Sequence, residues 1–341
     1  MHKAKAKKND EFYTQLIDIE KELEHYKEQL KNKVIYCNAD TSESNFVKYF
    51  KDNFKELKLK ALINSSLDGL VEVYDGEKFV NKTINGDFRS DDCIKFLKSA
   101  DIVITNPPFS LFREYVAQLM EYEKEFLIMG NNNAITYKEI FPLIKENKIW
   151  LGHHSNKTME FQLADHYEKW DRIDDEGNKY GKVPAISWFT NLDLDKKHEE
   201  IFLYNDYYGN EENYPKYDNY DAIEVSRVKD IPRDYEGVMG VPITFLTKYN
   251  PEQFEILGMS KTPICYDNKD VALRKKEYQN IRQYKNGKDV GSGNKINDGA
   301  AIIVNSIPTN GVYYKTEEFN IIMVAKYARI LIRNKKVKIG R

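Results

Sequence analysis

Apolar and polar positions follow two rhythms along the first 150 residues. From Gln15 to Lys31, Leu16, Ile19, Leu23, Tyr26 and Leu30 recur near helical spacing and predict an amphipathic helix. Lys33-Val34-Ile35-Tyr36-Cys37 is then a short apolar run, followed by a polar turn and a helical stretch through Tyr49-Phe50. Leu59 to Ile63, Asp101-Ile102-Val103-Ile104-Thr105 and Glu125-Phe126-Leu127-Ile128-Met129 repeat the short run. Apolar strands that do not alternate, separated by helices, predict an α/β fold with a parallel sheet buried on both faces. Two runs close on polar signatures, Asn106-Pro107-Pro108 and Gly130-Asn131-Asn132-Asn133. Ligands of such sheets bind at the carboxyl ends of the strands, where these signatures stand.

Further along, Gly240-Val241-Pro242-Ile243-Thr244-Phe245 and Phe254-Glu255-Ile256-Leu257-Gly258 predict more strands, and no repeat period is visible. Between them and the first half, residues 204–221 carry Tyr204, Tyr207, Tyr208, Tyr214, Tyr217 and Tyr220. The pattern predicts a long loop pinned by aromatic packing, with a base-facing surface as the alternative. Lys285-Asn286-Gly287-Lys288 and Gly291-Ser292-Gly293-Asn294 are loop signals.

The 341 residues, 41% hydrophobic, suffice for one or two cores. No run of about 18 uncharged apolar residues suggests a membrane span. The basic start leads into Glu11-Phe12-Tyr13 rather than an apolar stretch, so no signal peptide is expected. Cys37, Cys93 and Cys265 are too few and too scattered for a disulfide framework and suit a reducing cytoplasm. His153-His154 with His166 suggest no metal, because neighbours on a strand point to opposite faces and no cysteine stands near. The net charge of −2 argues against a nucleic-acid partner only as an average. Residues 271–341 carry 15 basic and 5 acidic side chains, a net of +10, whereas residues 151–240 carry 11 and 20, a net of −9. The basic end reads as a polyanion-facing module.

The sharpest chemical signal is Thr105-Asn106-Pro107-Pro108-Phe109 at the end of a buried run. Two prolines fix the backbone and remove two N–H donors. What remains is a pair of acceptors, the Asn106 side-chain oxygen and the Pro107 carbonyl, beside an aromatic face. That set suits a planar amine with two hydrogens, such as the exocyclic amine of a nucleobase. The lone pair of adenine N6 is delocalised and weakly nucleophilic. Holding both hydrogens on acceptors frees it as charge develops, so a methyl sulfonium can be attacked in line without a metal or a covalent enzyme intermediate.

Several segments give this motif a context. They are Lys8-Asn9-Asp10-Glu11-Phe12-Tyr13-Thr14, Ser44-Asn45-Phe46, Gly86-Asp87-Phe88, Tyr217 to Ile223 (YDNYDAI) and Gly240 to Gly258 (GVPITFLTKYNPEQFEILG). Through them the chain resembles the EcoRI-type adenine-N6 DNA methyltransferases over most of residues 8–260. The resemblance implies a seven-stranded Rossmann-like sheet that binds S-adenosylmethionine. It implies catalytic roles for Asn106, Pro107, Pro108 and Phe109. It places Tyr13, Thr14, Asn38, Asp40, Asn45 and Phe46 around the cofactor's amino-acid part, and Asp87 and Phe88 at its adenine. Two features depart from the family pattern. Thr41-Ser42-Glu43-Ser44 stands where a glycine-rich loop is usual, and Asn64-Ser65-Ser66 follows the second strand where an acid is usual, with Asp68 the nearest.

The division expected is a catalytic domain over 1–260 and a basic target-recognition region over 261–341. There Arg274, Lys275, Lys276, Arg282, Lys285 and Lys288 would meet the DNA. The expected partner is double-stranded DNA carrying a flipped-out adenine, met by a monomer in a bacterial or phage modification system, with or without a cognate restriction endonuclease. Two rivals stand at this point. One methylates RNA or a protein glutamine amide, and the other is a non-catalytic nucleic-acid-binding module on the same fold.

Overall fold

The apolar runs of the first half form strands where their pattern predicts them. The computed structural model describes residues 12–261, 276–316 and 321–337. β1 (Phe12–Thr14) leads into α1 (Leu16–Leu23), and helical turns to Leu30 complete the amphipathic segment. There follow β2 (Val34–Cys37), α2 (Asn45–Asp52), β3 (Ala61–Ser65), β4 (Leu70–Tyr74), β5 (Phe79–Thr83), α3 (Asp91–Ser99), β6 (Ile102–Thr105), α4 (Phe112–Glu121) and β7 (Glu125–Asn131). With β8 (Trp150–Leu151), β9 (Lys157–Leu163), β10 (Arg172–Ile173) and β11 (Lys179–Thr190) they make one mixed sheet of eleven strands.

The main path of that sheet is β1-β9-β11-β7-β6-β2-β3-β4-β5. Its four central strands, β7, β6, β2 and β3, are parallel. Every residue of β2 and β6 is buried, which is why both read as unbroken apolar runs. The sheet is larger and more mixed than the seven strands that the resemblance implied. β3 returns as β4 through the short turn Ser66 to Gly69, and a parallel return would need a dozen residues or more. On the far side β11 runs antiparallel to both β7 and β9. The loop after β2 lacks glycine but carries a helix cap, since the Ser44 side chain accepts from the Val47 amide at 3.3 Å.

This first compact unit ends at Leu194, and the second begins at Asp195. The second holds β12 (Ile223–Glu224), β13 (Met239–Pro242), β14 (Phe254–Met259), β15 (Ile281–Lys285), β16 (Lys288–Ser292), β17 (Ala301–Val304), β18 (Val312–Thr316), β19 (Ile322–Ala325) and β20 (Arg329–Asn334). One sheet is β12-β13-β20-β14 and the other β16-β15-β18-β19-β17. β20 pairs with both β13 and β14, so residues on either side of position 260 share a sheet. The functional division expected at 260/261 therefore falls inside the second unit. The buried Glu224 reinforces this pairing by taking both forks of Arg329, at 2.7 and 3.0 Å. In the tyrosine-rich stretch Tyr207, Tyr214, Tyr217 and Tyr220 are buried and Tyr204 and Tyr208 exposed, which is an aromatic-pinned loop. No helix among the described residues is long and apolar enough to cross a membrane.

Candidate active site

Parallel register brings the polar strand ends to one edge of the first unit. Asn38 and Asp40 follow β2, Ser65 ends β3, Asn106 follows β6 and Asn131 ends β7. Asn106 Nδ2 donates to the Phe12 carbonyl at 2.9 Å and to Thr14 Oγ1 at 3.3 Å. Two acceptors on one side fix which end of the amide is which. The other end, Oδ1, is buried and has no hydrogen-bond partner. An unsatisfied buried acceptor costs about 1–3 kcal/mol, which an incoming N–H would relieve. Phe109 is partly buried, with its ring 5.9 Å from that of Phe12 and tilted by 32°.

β1 is held on both sides. It pairs with β9, and Asn45 Nδ2 donates to the Thr14 carbonyl at 2.8 Å. Thr14 is buried, and its hydroxyl reaches Met129 Sδ at 3.3 Å, whereas Tyr13 points to the exposed face. Behind Asn106, the Thr105 hydroxyl donates to Asp40 Oδ2 at 2.5 Å. Burial pushes the Asp40 carboxyl up to about 6, against the hydrogen bonds from Thr105 and Ser44. Asn38 is buried as well. Its oxygen accepts from the Tyr115 hydroxyl, and its Nδ2 has no partner.

The remaining expected cofactor residues lie differently. Phe46 is a core residue, packed edge-on against Trp188 at 6.0 Å. Phe88 is buried and edge-on to Tyr115 at 5.1 Å. Asp87 is gripped by the Arg89 guanidinium at 2.7 and 2.9 Å, and Arg89 also reaches Glu114 at 3.0 Å. Gly86 has a local reason, since a Cβ there would stand 1.8 Å from the Ser66 carbonyl oxygen. Asp68 caps the β3–β4 turn through Ser66 Oγ and the Leu70 amide. Sequence reading missed Phe12, Met129 and Tyr115, whose spacing reads only as core.

In the second unit Lys276 pairs with Asp218 at 2.7 Å, and Arg282 pairs across its hairpin with Asp289 at 3.1 Å. Lys285 and Lys288 are exposed and flank the two-residue Asn286-Gly287 turn, both of whose residues have positive φ. Arg274 and Lys275 lie outside the described residues, as do Lys8 to Glu11.

The family model described as "Adenine-specific methyltransferase EcoRI" matches residues 1–83 and 68–335. The chain belongs to this EcoRI family of adenine-specific methyltransferases. The Type II methyltransferase M.EcoRI of Escherichia coli is 50% identical over 305 residues, covering 81% of this chain and 93% of its own. Type II methyltransferases M.MgeORF184P of Mycoplasma genitalium and M.MpnI of Mycoplasma pneumoniae are 44% and 42% identical, each over 77% of this chain and 86% of theirs. No solved structure matches the chain. As a member of the EcoRI family the chain is a site-specific DNA adenine methyltransferase, which decides against the glutamine, RNA and non-catalytic readings.

The buried Asp40 gives this family member a pH signature. Its folded carboxyl holds a proton up to about pH 6, whereas the unfolded one releases it near 3.8. Between those values the folded state binds more protons, so stability falls as pH rises. The unfolding free energy of the wild type relative to Asp40→Asn should drop by about 2 kcal/mol from pH 4 to 6 and level off above about pH 7. Urea titrations across that range check it, and a pH-independent difference would remove the buried acid from the account.

Proposed function

We propose that the chain transfers a methyl group from S-adenosylmethionine to N6 of a flipped-out adenine in double-stranded DNA, as a modification enzyme of the restriction-modification kind. The observation that carries this is the buried, unpartnered Asn106 Oδ1, whose amide is oriented by Phe12 and Thr14. Asn106 Oδ1 and the Pro107 carbonyl accept the two N6 hydrogens, and Pro107 and Pro108 offer no competing N–H. Phe109 supplies the stacking face for the base. As the N6 lone pair is drawn out, positive charge grows on nitrogen, and the two acceptor dipoles stabilise it without reorganising. After transfer the extra proton leaves to water.

The cofactor fits the Rossmann-like edge that the parallel strands form. The unpartnered Asn38 Nδ2 is a ready donor for the carboxylate of the cofactor's amino-acid part, in the loop that Asp40 and Asn45 brace. When bound, S-adenosylmethionine supplies the electrophilic methyl group. We assign Asp87 to the cofactor's adenine amino group, next to the buried Phe88, whose ring carries the Arg89 guanidinium 5.3 Å from its centroid. We assign the second unit's basic segment from 261 onward to DNA. Duplex DNA requires base flipping because N6 is otherwise held within the base-pair stack.

Asn106→Ala should lower the single-turnover rate at least about 10²-fold while sparing cofactor and DNA binding. Methylation assays beside calorimetry check this, and turnover near wild type would remove Asn106 from the mechanism. Replacing Lys285 and Lys288 together by Gln should weaken DNA binding and reduce the slope of log K against log salt by about 2. An unchanged slope would place the DNA away from that hairpin tip.

A further inference from the structure

His153 and His154 do not lie on a strand. They follow Gly152 in a turn before β9 begins at Lys157, and their ring centroids are 5.7 Å apart. The third member of the group is His25 rather than His166. His25 sits in the helical turn after α1, stacked on His153 with centroids 3.5 Å apart and planes 3° from parallel, and 5.5 Å from His154. One ring nitrogen from each of these three histidines lies within 4.8 Å of the others.

The cluster stands on a buried carboxylate. Glu22 of α1 is fully buried and accepts from the backbone amides of His153 and His154, each at 2.6 Å, and from the Tyr26 hydroxyl at 3.0 Å. Its Oε2 also lies 3.0 Å from His154 Nδ1. Because the carboxylate can only accept, Nδ1 of His154 is the donor, and in the neutral ring this tautomer puts the lone pair on Nε2. A histidine that ligates a metal ordinarily donates its other ring N–H to such a partner, which sets the tautomer and the ring direction. Gly152 makes the approach feasible, since a Cβ there would stand 2.3 Å from Glu22 Oε1 and 2.6 Å from Trp188 Cβ.

We propose that His25, His153 and His154 bind one divalent transition-metal ion of the zinc class, with water completing the shell. Imidazoles select zinc, nickel and copper over magnesium. Zinc–nitrogen bonds of about 2.0–2.1 Å in a tetrahedron require donors about 3.3 Å apart, so the donors, within 4.8 Å of one another, draw together on loading as the His25–His153 stack opens. In the stack the in-plane lone pairs of His25 and His153 run side by side, and rotation of the exposed His25 ring turns its lone pair to the ion. The ion joins the turn after α1 to the turn before β9. Its role is to clamp these elements, and it takes no part in methyl transfer.

The test is calorimetric titration of untagged, chelator-stripped full-length protein with zinc chloride in excess magnesium, paired with thermal unfolding. Wild type should take up one equivalent, and zinc should raise its unfolding midpoint. His25→Ala alters only an exposed ring and should fold normally. It should bind zinc at least about tenfold more weakly and lose the rise in midpoint, with methyl transfer under chelator unchanged. No saturable uptake by wild type would overturn the proposal. So would wild-type affinity, or an undiminished rise in midpoint, in His25→Ala.

Discussion

The Asn106 amide is held from one side only. Its nitrogen end is spent on the Phe12 carbonyl and Thr14 Oγ1, and its oxygen end is left buried without a donor. On the proposed mechanism, a flipped amide would present donors to an amine that needs acceptors. The orientation of this one group makes the prolines beside it useful. The prolines remove competing donors, but they cannot decide which way an asparagine faces. That decision comes from a three-residue strand more than ninety positions away in the chain.

Much of the first unit serves to keep that strand in place. β1 pairs with β9 and is caught by Asn45 at the start of α2. Thr14 rests on Met129 of β7, so β1, β7 and the loop after β6 meet at one hydroxyl. Thr105, the residue before Asn106, is tied to the buried Asp40 in the loop that follows β2. The loops that follow β6 and β2 are thus joined by a short hydrogen bond at the ends of neighbouring parallel strands. Two polar atoms, Asn106 Oδ1 and Asn38 Nδ2, remain unsatisfied among these restraints. On the proposed mechanism they are an acceptor and a donor poised for ligands.

The four parallel strands were legible because burial on both faces leaves an unbroken apolar run, as Ile102 to Thr105 shows. The loop from Asn106 to Phe109, proposed as catalytic, stands out in the sequence because Asn-Pro-Pro-Phe has few structural reasons to exist. The antiparallel flanks were not, since β4 and β5 carry mixed positions and β5 is exposed throughout. Backbone acceptors such as the Phe12 carbonyl leave no mark in a side-chain pattern. Phe46 and Phe88 look alike in sequence whether they face a cofactor or a core, and both are buried. Strand periodicity does not apply to His153 and His154, which stand in a turn after Gly152.

We propose that β1 orients the Asn106 amide for catalysis, and Thr14 tests this most directly. Thr14→Val keeps the volume and removes the acceptor, whereas Thr14→Ser keeps the acceptor. The decisive measurement is the single-turnover rate of adenine methylation in duplex DNA at saturating cofactor. Thr14→Val should be slowed about 5- to 10-fold, the kinetic equivalent of one hydrogen bond of about 1 kcal/mol, and Thr14→Ser should stay near wild type. A folded Thr14→Val protein with the wild-type rate would contradict the account.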